Sequence, residues 1–213
     1  MRHTRLTTWL LIGICALVGL WSAVNPADRL TWGLEQIASV LVIGMLLLHN
    51  GVRYSTGALA GLALLFCAHT VGTHYTYSLT PYDAWFQVMT GSSLDALVGW
   101  ERNNYDRVVH FLWGLCMTQP MIETLQQRLR CTFRAAANLS FHLVLSTSAL
   151  YELLEWAAAV VFGDGGQAYL GTQGDVWDAQ ADIAIALAGW GLVIGFRLAR
   201  GAMRAISARQ RGG

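Results

Sequence analysis

The stretch TGALAGLALLFCAHTVGT, residues 56–73, runs for 18 positions with no acid, lysine or arginine. As a helix rising about 1.5 Å per residue it would reach about 27 Å, close to the roughly 30 Å of a bilayer's hydrocarbon core. Five more apolar stretches lie on either side of it, at 7–24, 35–50, 107–124, 137–162 and 181–199. The segment 35–50 is short for a crossing, and 137–162 is long and polar in places. Composition points the same way. Hydrophobic residues make up 54% of the 213 and charged residues 13%, about half the charge an average soluble domain carries. Too few charges remain to cover a water-facing surface. The expected fold is all-α, a polytopic membrane helical bundle of about six transmembrane helices, forming a single integral membrane domain over 1–213.

Arginine placement predicts the orientation. Every one of the 14 basic residues is arginine. With the amino terminus inside, 11 of them fall in cytoplasmic segments, leaving Arg29, Arg102 and Arg107 outside. Basic residues favour the cytoplasmic side, so both termini are expected to be cytoplasmic. The opening MRHTRLTTWLLIGICALVGLWSAVNPA also has the basic, apolar and small-residue order of a secretory signal, though an uncleaved first span serves equally well. Net charge is +1, which suggests no nucleic-acid partner. The partners expected from an apolar chain are membrane lipid and a small-molecule or lipid substrate. The oligomeric state stays open.

Cys15, Cys67 and Cys116 fall in apolar stretches and Cys131 in an arginine-rich loop, with no CxxC spacing. They read as small buried hydrophobes and one reduced thiol. Gly57-x-x-x-Gly61 and Gly191-x-x-x-Gly195 are spaced as in closely packed helix pairs. The outer connection 75–105 carries Pro81, Tyr82, Trp85, Phe86, Val88, Met89, Leu94, Leu97 and Trp100. It reads as an interfacial segment or a lid.

In this topology the acids and histidines gather near the outer face. His69 and His74 lie near the exit of the third span, Asp106, Arg107 and His110 begin the fourth, and Glu152 and Glu155 lie in the fifth. Asp175, Asp178 and Asp182 lead into the sixth. Asp106 and His110 share a helix face, as do Asp178 and Asp182, each pair being four apart. Structural readings exist for several of them: an interfacial Asp106–Arg107 pair, aspartates capping the sixth helix, and His74 lining the interface. Glu152 and Glu155 differ, because ionisable groups inside a membrane are costly and need partners.

The stretches GTHYTYSLTPYDAW (72–85), ERNNYDRVVHFLWG (101–114), YELLEW (151–156) and YLGTQGDVWDAQADI (169–183) resemble the YjdF-like family of bacterial inner-membrane proteins. That resemblance covers about 35–200 and implies a multi-pass location in the bacterial inner, or cytoplasmic, membrane, without a specific activity. More distantly, Asp106-Arg107-x-x-His110-Phe111, Glu152-x-x-Glu155 and Asp178-x-x-x-Asp182 resemble the VanZ-like proteins linked to glycopeptide resistance. In those the last spacing is one residue shorter and an asparagine follows it.

Three functions fit these residues. In a metal-dependent enzyme acting on a lipid or cell-envelope substrate, His110, Glu152, Asp178 and Asp182 are the candidate ligands of a divalent ion. Glu155 is then the candidate general base and Arg107 the phosphate holder. A proton- or ion-coupled transporter would use the same carboxylates, with His49, His142, Ser146 and Glu123 as the few polar groups of the inner half. A non-catalytic lipid-binding or scaffold protein would use the network only to fix its helices.

Overall fold

The structure is a computed structural model that describes residues 2–48, 51–162 and 173–211. Among these residues the fold is all-helical: α1 (Arg2–Ser22), α2 (Arg29–Leu48), α3 (Thr56–His74), α4 (Tyr82–Thr90), α5 (Leu94–Val98), α6 (Tyr105–Leu129), α7 (Phe133–Phe162) and α8 (Asp178–Arg211). His49, and residues 169–172 of the last family motif, lie outside the described residues. Among the described residues, three helices are long and apolar enough to cross a membrane, Thr56–His74, Phe133–Val161 and Asp178–Ser207, and Leu6–Ser22 is a shorter apolar helix.

Local chemistry sets the ends of the helices. Ser55 caps α3 by accepting from the Ala58 amide (3.2 Å). The Thr31 amide donates to Asp28 Oδ1 (2.7 Å), so α2 begins at Arg29 rather than near 35. Two helices replace a single segment within 75–105. Gly91 (φ +78°) ends α4 and Gly99 (φ +73°) ends α5, both left-handed positions that glycine adopts without strain. Asp83 Oδ1 staples the pair, accepting from Ser93 Oγ (3.1 Å) and the Asp95 amide (3.0 Å).

α6 is the central post, packed by α3, α7 and α8, while α1 and α2 lie against α3 and α7 against α8. Leu65, Val109, Cys116, Met117, Val144 and Ala186 form its buried core. The surface is inverted relative to a soluble protein. Trp9, Leu17, Val160 and Phe196 are each more than 60% exposed, as lipid-facing side chains are.

Glycine packing differs from the spacing-based expectation. A Cβ at Gly191 or Gly195 would meet nothing within 4 Å, and at Gly57 only the Ser55 hydroxyl at 4.0 Å. Gly61 does pack, against Cys116, whose carbonyl has no helical donor because residue 120 is proline. The closest approach is between α6 and α8. A Cβ on Gly114 would strike the Ala186 carbonyl oxygen, and one on Gly189 the Phe111 carbonyl oxygen. These two glycines lie in no small-xxx-small pair with each other, so spacing within one helix did not mark them.

Candidate functional site

The α6–α8 crossing places the polar groups. His110 lies one turn before Gly114, and Asp182 two turns before Gly189, so backbones in contact bring these side chains to adjacent positions. α7 is held in rotation by two indole bonds, Trp113 Nε1 to Thr147 Oγ1 (3.1 Å) and Trp190 Nε1 to Ser140 Oγ (2.9 Å). That rotation turns Ser148, Tyr151, Glu152 and Glu155 inward, and Glu152 Oε1 comes within 3.3 Å of His110 Nε2.

Two overlapping acidic groups result. One donor atom each from His110, Glu152 and Asp182 lies within 4.8 Å of the others, and the same holds for Asp106, Asp178 and Asp182. Their surroundings differ. The second group is neutralised by arginine: Arg102 pairs with Asp178 and, at 3.1 Å, with Asp106. Arg107 pairs with Asp175, at 3.7 Å from Asp178 and 4.0 Å from Asp182. The first group is less well matched: His110 Nε2 faces Glu152 Oε1, and Asp182, shared with the second group, has Arg107 only at 4.0 Å. His110 Nδ1, Glu152 Oε1, Asp182 Oδ1 and the Ser148 hydroxyl are buried with no hydrogen-bond partner. Buried polar atoms without partners are costly and call for an explanation. One imidazole and two carboxylates form a donor set that suits a divalent ion.

The predicted residues therefore separate. His110, Glu152 and Asp182 converge, whereas Asp178 joins the arginine-bound group with Asp106. Arg107 is committed to carboxylates. Asp175 lies in the loop before α8, where the Trp177 amide (2.9 Å), with Arg107 beside it, holds its carboxyl below the ordinary range. His74 lies elsewhere, donating from Nδ1–H to the Ser22 carbonyl (3.1 Å) and stacked on Trp21 with ring centroids 4.3 Å apart. It fastens α1 to α3.

Other polar residues complete the constellation. Glu35 is 2% exposed and accepts from Tyr151 Oη (2.5 Å), linking α2 to α7. His69 meets the Glu35 carbonyl (3.3 Å) and Tyr77 Oη (2.5 Å). Tyr77 is aimed there by a left-handed turn at Thr76 and Tyr77 (φ 55° and 52°), its ring folded onto Gly72, where a Cβ would meet it at 2.9 Å. The Glu35 signal was the Asp28 cap, which moves the helix start back and puts Glu35 nearly two turns inside. The Arg102 signal was its four-residue spacing to Asp106. At the other end of α6, Glu123 accepts from the Ser55 amide (2.9 Å) and from Gln119, fastening the α2–α3 loop.

Glu35, His69, His110, Tyr151, Glu155 and Asp182 line one end of a chamber of about 1350 Å³. Its remaining walls are mostly apolar side chains from α1, α2, α3 and α7.

Apolar outer surfaces and a polar cluster turned inward define a multi-pass membrane protein. The chain belongs to the family described as predicted membrane protein (DUF2238), whose model matches residues 7–201. It is similar to inner membrane protein YjdF of Escherichia coli strain K12, 35% identical over 178 residues, which cover 81% of this chain and 80% of that protein. It is thus a YjdF-like multi-pass protein of the inner membrane. No solved structure matches it significantly.

Proposed function

We propose that the protein is a membrane enzyme that uses a divalent cation on a lipid or cell-envelope substrate. The carrying observation is the convergence of His110, Glu152 and Asp182, each with one buried polar atom that makes no hydrogen bond. These three residues would hold the ion, which when bound supplies electrophilic activation and a more acidic water. Glu155, one turn along α7 on the chamber wall, accepts the proton from the attacking group. Arg102 and Arg107 balance the charge of Asp106, Asp175 and Asp178 and fix α8 against α6. Ser148 offers its hydroxyl to the substrate's polar end. A transporter would need polar groups leading to the opposite end, and there Glu123 is occupied as a loop fastener.

The proposed topology is one integral domain of six crossings with both termini in the cytoplasm, as the arginine bias indicates. α2 and α6 supply the crossings beyond the four apolar helices, and the site then faces outward. Metal analysis of protein purified in detergent tests the central point. About one equivalent of a divalent metal is expected, lost in Asp182→Asn and reduced in Glu152→Gln. Purified protein that neither carries nor is stabilised by zinc, manganese or magnesium would overturn the reading.

A further inference from the structure

We propose that the substrate is a lipid of the surrounding leaflet that enters sideways between α2 and α7, its chains in the chamber and its polar end at His110, Glu152 and Asp182. This deepens the enzyme reading and rests on it for the polar end alone. The chamber, at about 1350 Å³, exceeds the roughly 300–1,000 Å³ of ordinary small-molecule pockets. Its polarity is graded: acids and histidines gather at one end, and mostly apolar side chains form the rest. A compact polar metabolite would leave most of that wall uncovered, whereas a head with long chains covers both parts.

The route is read from chamber-lining side chains that are themselves exposed. Ile37 and Leu41 of α2 and Leu150 and Leu154 of α7 line the chamber, and each is at least 50% exposed. The chamber is open rather than enclosed, with these apolar residues of α2 and α7 on its wall. α2 packs on α3, and α7 packs on α6 and α8. Across the space between α2 and α7 runs the Tyr151–Glu35 hydrogen bond, at the polar end, with aliphatic side chains flanking the opening beyond it. A chain passing there stays in apolar surroundings throughout and its head meets His110, Glu152 and Asp182 last. No aqueous crossing is needed.

Trp113 lines the chamber and is only partly exposed, so it can report entry. The test uses full-length protein in phosphatidylethanolamine–phosphatidylglycerol vesicles with brominated acyl chains, taking Trp113 emission as the difference between wild type and Trp113→Phe. The proposal expects loss of most of that emission, and its recovery when Ala63→Leu or Leu62→Phe narrows the chamber. Metal binding is titrated in the same vesicles. Unquenched Trp113 alongside quenching of the tryptophans that remain in Trp113→Phe overturns the lateral route, whether or not metal binds. Equal quenching in both narrowed variants overturns it too. Quenching relieved by narrowing, with no metal bound, supports the route while removing the metal reading.

Discussion

Gly114 on α6 and Gly189 on α8 sit in a crossing so close that a Cβ on either would collide with a carbonyl oxygen of the other helix. Membrane helices lack a hydrophobic drive toward one another, so contact of this kind replaces it. The same contact brings His110 and Asp182 together, tying stability and site geometry to one place.

Gly114→Ala should therefore destabilise the bundle by about 1–3 kcal/mol, the usual cost of overpacking, and at the upper end because the obstruction is backbone. Gly191→Ala meets open space and should be neutral or slightly stabilising, since alanine suits a helix better than glycine. Thermal melts in detergent followed by circular dichroism check this. Equal melting temperatures for the two variants would remove the crossing from the account.

Arg102 joins the loop before α6 to Asp178 at the start of α8, with side chains 13% and 8% exposed. Removing one partner of a buried pair costs about 3–5 kcal/mol, because the other charge is left uncompensated. Arg102→Ala should fall in or just below that range, and adding Asp178→Asn should recover part of the loss. A double-mutant cycle with no coupling would contradict the pairing.

Acid should loosen the α4–α5 staple. The Asp95 amide and, next, the Ser93 hydroxyl hold the Asp83 carboxyl below its ordinary 3.8. A lowered folded-state value means that this contribution is complete above about 3.9, the unfolded value. It is lost as pH falls through the lowered one. Limited proteolysis should cut within 82–98 faster below that point, and Asp83→Asn should be cut faster at neutral pH as well.

His74 and His110 should separate cleanly. His74→Phe keeps the stack on Trp21 but loses the bond to the Ser22 carbonyl, for about 1 kcal/mol of stability and unchanged metal content. His110→Phe should lose metal. Parallel metal analysis and melts decide the matter, and metal loss in the His74 variant would place that residue in the site after all.

Much of the arrangement was legible because it rested on short spacings. Asp106 with His110, Glu152 with Glu155 and Asp178 with Asp182 declare their shared faces within one helix, and hydropathy declares the helices. What escaped depended on contacts between helices. Glu35 read as the first residue of a span, and only the Asp28 cap shows that it sits inside α2. Gly114 and Gly189 lie 75 residues apart, and each looks like any other helical glycine. The arginine-bound and less well matched carboxylates could not be told apart either, since the difference lies in which partner Arg102 and Arg107 reach across the bundle.

The central post has a consequence for how the protein is made. α6 carries Asp106, Arg107, His110, Pro120 and Glu123 and, unlike α3, α7 and α8, is not apolar enough to be a candidate span by itself. Its charges are costly in bare lipid, and their partners lie mainly on α7, α8 and the loop before α8. In the proposed six-crossing topology, α6 is not expected to be released to lipid as a finished span at the moment it emerges. It is expected to wait until α7, three residues behind it, follows as the other arm of a hairpin, and to settle when α8 brings Asp178 and Asp182. The polar centre of this protein is thus assembled last, by its carboxyl-terminal third.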